Sequence, residues 1–274
     1  MKQKILFMMI DMNVGGTEKA FLNLVSEIDF TKYDVTLLLL EEKGGFLKDV
    51  PNEVQIETLE NYEQIKDEIM LPPLVCAKKA MHIKKYLKAV GILFYHIIFK
   101  ISNDRTSYYK YIIRKLKKKE GYDVAIAFAG PMEFITTYIL EKVEANKKIQ
   151  WIHFDISKNG TNLKHARRNY PKFNKIFVVS DQAKQILIDA IPSIDKITET
   201  KQNVVSEAAC LKLAEVGETY RNYDGIKILT VGRLYREKGQ DIIPEVARQL
   251  KREGYDFKWY LIGEGSIRKE IEKK

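Results

Sequence analysis

Hydrophobic positions fall in short continuous runs separated by stretches of helical spacing. The first run, Lys4–Ile10, is apolar without alternation, the pattern of a strand buried on both faces. Gly15–Gly16 follows as a turn, and then Ala20, Phe21, Leu24, Val25 and Ile28 recur on one helical face. Tyr33–Leu40 and Val54–Leu59 read as further strands. After a long helical insert, strand signals resume at Asp123–Ala129, Lys148–His153 and Lys175–Ser180, with helical patterns near 131–143 and 181–190. Strands alternating with helices predict an α/β fold with a doubly wound parallel sheet covered on both faces.

Around 191–206 the period fades, which reads as a crossover into a second unit. There a strand (Lys227–Val231), a helix (Gln240–Glu253), a strand (Lys258–Ile262) and the start of a helix (Arg268–Lys274) repeat the same order. The expected organisation is one Rossmann-like domain over 1–200 and a partial second one over 201–274.

Charge is concentrated in one segment. The insert, about 77–119, holds thirteen Lys/Arg and one acid, Asp104, hence +12 against +9 for the whole chain. The remainder is mildly acidic. The insert also carries apolar residues at helical spacing, among them Tyr86, Leu87, Val90, Phe94, Ile97 and Ile101. Such a mixture suits a helix lying on an anionic membrane surface; the alternative is a solvated helix whose stripe packs on its own domain. Nucleic acid ranks last, because no recognised binding motif accompanies the charge. The longest apolar run, Ala89–Phe99, is interrupted by His96 and spans eleven residues, against about 20 for a membrane-crossing helix. No segment reads as a signal peptide.

Composition narrows the class. The chain has 274 residues, 45% hydrophobic and 30% charged, which excludes wholesale disorder and a disulfide-stapled miniprotein. Cys76 and Cys210 lie far apart and read as reduced thiols in a cytoplasmic protein, with a lone distant disulfide as the alternative.

Four motifs carry candidate chemistry. Gly15–Gly16, between a strand and a helix start, could admit a phosphate or sugar to free helix N–H groups, or could be a plain tight turn. Val231–Asp241 leaves a strand with Gly232 and presents Arg233 and, five residues on, Lys238; a planar fork and a point charge suit a diphosphate, and two solvated loop cations are the alternative. Gly263–Ser266, reading GEGS, follows the second strand of its unit, so it is a tight turn or a turn beside a nucleotide rather than a dinucleotide fingerprint. His153 ends a strand, with Asp155 two residues later. It could hydrogen-bond a sugar hydroxyl or leaving phosphate, or be structural. No D-x-D, GxSxG, GxxxxGK[ST] or HExxH occurs, and the histidines show no metal spacing.

Together ILFMMIDMNVGGTEKAFLNL, KIQWIHFD and KILTVGRLYREKGQDIIPEVARQLKREGYDFKWYLIGEG resemble a family-4 retaining glycosyltransferase of the GT-B architecture. The resemblance implies two Rossmann-like domains facing across a cleft and a nucleotide-diphosphate sugar donor, UDP-linked, needing no metal or other cofactor. Arg233 and Lys238 match the family's diphosphate-binding pair, Gly15 and Gly16 its N-terminal glycine pair, and His153 its strand-end histidine; Gly263 would mark a nucleotide-side turn. The implied acceptor is an envelope polysaccharide or lipid-linked glycan, at the inner face of the cell membrane.

The family also places two glutamates seven residues apart well beyond the GEG-like turn, and no such pair follows it here before Lys274. Three expectations remain open: a piece of a longer chain, a second chain that completes the C-terminal domain, or a non-catalytic, membrane-docked subunit.

Overall fold

The computed structural model describes residues 2–130, 132–158, 160–216 and 223–273. It divides into two units, Met1–Ala209 and Cys210–Lys274, against the boundary near 200 expected from the fading period.

The first unit is built on seven parallel strands: β1 (Gln3–Met9), β2 (Tyr33–Leu39), β3 (Val54–Thr58), β4 (Lys119–Gly130), β5 (Val143–Ile152), β6 (Lys175–Val178) and β7 (Thr198–Thr200). Their order is β3-β2-β1-β4-β5-β6-β7. The winding therefore reverses between β1 and β4, which pair from Ile5↔Val124 to Met8↔Ala127. In open α/β sheets the carboxyl ends of the strands at such a reversal form the ligand-binding crevice.

The unbroken apolar runs are explained by the two faces. Leu6, Met8, Leu38, Ala125 and Ala127 enter one core, with Phe134, Ile135 and Tyr138 of a covering helix. The alternate residues Phe7, Met9, Leu37, Leu39, Ile126 and Phe128 enter the other, with Phe21 and Val25. Side chains alternate across a strand, so a sheet buried on both sides needs apolar residues at every position. Phe7, Phe21 and Phe128 meet edge to face at centroid separations of 5.3, 5.6 and 5.9 Å.

The helices of this unit are α1 (Gly16–Val25), α2 (Tyr62–Met70), α3 (Pro73–His82), α4 (Tyr86–Ser102), α5 (Thr106–Ile113), α6 (Glu133–Lys142), α7 (Leu163–Asn169) and α8 (Asp181–Ala190). The basic insert is thus three helices, α3 to α5. Lys84 and Asn103 adopt left-handed φ of 59° and 53° at the two breaks, and Asp104, just before α5, accepts from the Thr106 backbone N–H at 2.8 Å.

Four strands differ from the hydrophobic pattern in extent or existence. β4 and β5 begin earlier than read, because polar stretches pair along them (Lys119↔Val143, Tyr122↔Ala145). The strand read to Ser180 stops at Val178, and Ser180 instead caps α8, its Oγ accepting from Ala183 N–H at 3.1 Å. The aperiodic stretch 191–206 holds β7, an edge strand of sequence TET, too short and polar to show a period.

Helix α9 (Glu207–Val216) precedes the second unit's strands, β8 (Ile226–Val231) and β9 (Phe257–Ile262), paired in parallel from Ile226↔Phe257 to Val231↔Ile262. Helices α10 (Ile243–Arg252) and α11 (Arg268–Glu272) follow β8 and β9 respectively. Leu229 and Val231 of β8 are exposed.

Candidate functional site

The polypeptide leaves β1 at the winding reversal through a loop pinned from the side. Met12 N–H donates to the Lys43 carbonyl at 2.8 Å, and Phe46 N–H to the Met12 carbonyl at 2.9 Å. Gly44 makes this approach feasible: its φ is +121°, and a Cβ there would collide with the Met12–Asn13 backbone. Asp11, buried at the end of β1, accepts from Asn13 N–H at 3.0 Å and Asn13 Nδ2 at 2.7 Å.

Gly15 precedes α1 with extended backbone (φ −154°), so this glycine turn does not use positive φ. A Cβ on Gly15 would collide with the Glu18 carboxyl, whereas Gly16 has open space where its side chain would be. Burial pushes the Glu18 carboxyl up from its ordinary value, and the Asp11 charge adds to this. The helix N-terminus expected to receive a phosphate already has a carboxyl beside it, and Gly16 is the open position.

His153 follows β5, one strand beyond β4. Its ring lies 4.4 Å from the Phe128 ring and is parallel to the Trp151 indole at 5.8 Å. Burial depresses its pKa to about 4, opposed by Asn203 and the Phe128 backbone, so the imidazole is neutral at pH 7. Neither ring nitrogen has a partner of full hydrogen-bond geometry, although Asn203 and the Phe128 backbone stand close enough to influence its charge. Asp155 does not serve His153. Its carboxylate accepts from Ser157 N–H at 2.9 Å and Ser157 Oγ at 2.6 Å.

Glu133, which sequence reasoning missed, opens α6 three residues beyond the end of β4. Burial raises its pKa to about 7; Arg105 opposes and Asp104 reinforces the shift. Its Oε2 is buried without a partner, as is Thr161 Oγ1 in the loop before α7. Helices α6 and α7 are tied together: Thr137 Oγ1, which donates to the Glu133 carbonyl within α6 at 2.8 Å, lies 3.1 Å from His165 Nε2 of α7. His165 is thereby structural. The segments that follow β4 and β5 thus hold orphaned polar atoms from Glu133 and Thr161, and a His153 ring without a partner of full geometry. Buried polar groups normally find partners, so this edge is equipped to receive a hydrogen-bonding ligand. The carboxyl of Glu133 has no motif spacing, and only the helix start after a buried strand could have flagged it.

A concavity of about 630 Å³ beside the ends of β2 and β3 is lined by Glu41, Asn61, Tyr62 and Lys66. Lys66 already pairs with Glu41 and Glu63 there, and none of the orphaned atoms lines it.

In the second unit two loops interlock at the strand ends. Gly232 N–H donates to the Ile262 carbonyl at 2.9 Å and Leu234 N–H to the Glu264 carbonyl at 2.8 Å. Gly263 has φ +153°, and side chains at Gly263 or Gly265 would strike the carbonyls of Gly232 and Leu234. The GEG sequence therefore lets the two loops lie flush. Arg233 is exposed, bound to Glu237 at 2.9 Å, with its guanidinium 5.2 Å from the Tyr235 ring centre. Lys238 ends the short 3-10 turn Arg236–Lys238, exposed and unpaired among the described residues. Gln240, also missed, is buried; its Nε2 donates to the Gly232 carbonyl at 3.1 Å while Oε1 has no partner. Among the described residues no three His, Cys, Asp or Glu side chains gather as a metal site. No helix among them is long and apolar enough to cross a membrane.

No protein-family model matches the chain, and no curated protein matches it. Solved structures do. Anabaena HepE in complex with UDP and glucose is 14% identical over 99% of this chain and 64% of its own, with TM-score 0.57. A mutant of S. aureus TarM in complex with Fondaparinux, alpha-GlcNAc-glycerol and UDP is 13% identical over 99% of this chain and 74% of its own, with TM-score 0.58. A glycosyltransferase from Rickettsia africae is 16% identical over 99% of this chain and 63% of its own, with TM-score 0.52. The chain thus spans less than two thirds of the HepE and Rickettsia proteins. At these identities the likeness establishes the fold: an α/β fold of the GT-B type built from Rossmann-like parallel sheets.

Proposed function

We propose that this chain carries a glycosyltransferase that moves a sugar, with retention, from a UDP-linked donor to an envelope polysaccharide or lipid-linked glycan. One observation carries this reading. Buried polar atoms of Glu133 and Thr161 without a partner, and a buried His153 ring whose nitrogens lack one of full geometry, lie in the segments that follow β4 and β5 in a fold shared with UDP-bound proteins. A hydroxyl-rich ligand is the chemistry that would satisfy them. A neutral imidazole can both donate to and accept from hydroxyls.

Arg233 and Lys238 would neutralise the diphosphate. As the bond from the sugar to the β-phosphate breaks, negative charge grows on the departing oxygen, and fixed cations stabilise it. The bond from the same carbon to the acceptor oxygen forms, and the acceptor's proton leaves with the phosphate. Arg233 would exchange Glu237 for the bidentate diphosphate contact. Gly16 offers the open approach at the end of β1.

Isothermal titration of the chain with UDP and GDP tests the reading. UDP binding should weaken by about tenfold or more for each cation removed in Arg233→Ala and Lys238→Ala. A folded chain that binds neither nucleotide, or binds UDP equally well without both cations, refutes this donor site.

A further inference from the structure

The feature that this function leaves unused is the outer side of α4. Ala89 and Ile92 on its inner side are buried. Leu87, Val90, Phe94, Ile97 and Ile101 lie on the opposite side at spacings of three and four residues, which aligns them in one stripe. Leu87 is 91% and Ile101 80% exposed, and the other three are also exposed. A solvated helix normally turns charged residues outward. This one is apolar on both sides along about 25 Å of its length.

The charges stand around this stripe. Lys84 and Lys85 precede α4, and Lys100 lies near its end; all three are exposed. The single acid of the insert, Asp104, is already held by Arg168 at 3.0 Å and by Thr106. Lys79, Lys88, Lys110, Lys117 and Lys119 of the insert pair with acids outside it, so the positive charge beside the apolar ridge is that of Lys84, Lys85 and Lys100.

We propose that the outer face of α4 docks this chain on an anionic lipid bilayer. Leu87, Val90, Phe94, Ile97 and Ile101 enter the headgroup–acyl boundary, and Lys84, Lys85 and Lys100 meet lipid phosphates. Charge selects this occupant. A second copy would set Lys84, Lys85 and Lys100 against their own counterparts, a like-charge contact that apolar area must overcome, whereas an anionic surface complements them. The α4 helix is too short to span, so it lies in the interface plane.

The test is co-sedimentation of the full chain with vesicles of phosphatidylcholine alone and of phosphatidylcholine mixed with phosphatidylglycerol. Binding is expected on the mixed vesicles and should fall as salt rises. Leu87→Gln with Phe94→Gln should lower partitioning by about tenfold for each side chain. Lys84→Gln, Lys85→Gln and Lys100→Gln should each lower it about fivefold. All five positions are exposed, so folding should survive, and UDP titration of the variants should match the parent chain. Equal binding to both vesicle types, no binding, or an undiminished Leu87→Gln/Phe94→Gln variant overturns the proposal. A dimer in sedimentation velocity that this double variant dissolves overturns it in favour of self-association.

Discussion

Replacing Glu133 by Gln should stabilise the first unit above neutral pH and leave it unchanged in acid. Burial raises this carboxyl's pKa from 4.5 to about 7 in the fold. Between those values the native state holds the proton that the unfolded chain releases. Stability therefore falls as pH rises through the window, and the full cost is reached above pH 7. At about 1.4 kcal/mol per pKa unit the cost is about 3.5 kcal/mol. Gln keeps the shape but has no proton to lose, so Glu133→Gln should gain about 3 kcal/mol at about pH 8 and little near pH 4. The assay is urea unfolding across this range in a Trp259→Phe background, where Trp151 reports on the first unit alone. With a urea slope of a few kcal/mol per molar, the midpoint should separate by about 1 M at high pH. His153 and His165 are common to both proteins and cancel in the difference. A separation that stays constant with pH would refute the buried-carboxyl reasoning. Should Glu133 read a ligand hydroxyl, the gain in stability will come with weaker sugar binding, the usual exchange at a functional site.

Other perturbations address separate parts of the molecule. Gly263→Ala forces a side chain into the Gly232 carbonyl at φ +153°; UDP titration should show binding lost while Trp151 unfolding of the first unit is unchanged. Phe21→Ala removes the centre of the Phe7–Phe21–Phe128 cluster and should cost about 3–5 kcal/mol in the same urea assay. Burial depresses His153 and His165 to about 4. Their stability is fully present above pH 6.5 and is lost as pH falls towards 4, so a His153→Gln/His165→Gln variant should show a flatter acid limb in thermal melting.

The central strands were legible because a sheet buried on both faces writes itself as an unbroken apolar run, as in ILFMM of β1 and LLL of β2. The glycine turns were legible for a similar reason, since backbone contact excludes a Cβ whatever lies around it. Gly263 and Gly265 show this at the second unit's interlocked loops. By contrast, β7 escaped notice because an edge strand of three polar residues has neither period nor apolar content.

The candidate site divides along the same line. Arg233, Lys238, His153 and the glycine pair are residue types at telling places in a strand–loop–helix order, and order is a property of sequence. Glu133 and Gln240 are ordinary polar residues until packing removes water from them. The amphipathic insert shows the limit most sharply. Its sequence specified apolar residues at helical spacing and a charge of +12. Which side of α4 meets the core, and that Leu87 and Ile101 are left in water, follows from contacts with distant parts of the chain. Periodicity fixes the relative placement of side chains around a helix, while only tertiary packing fixes where that helix points.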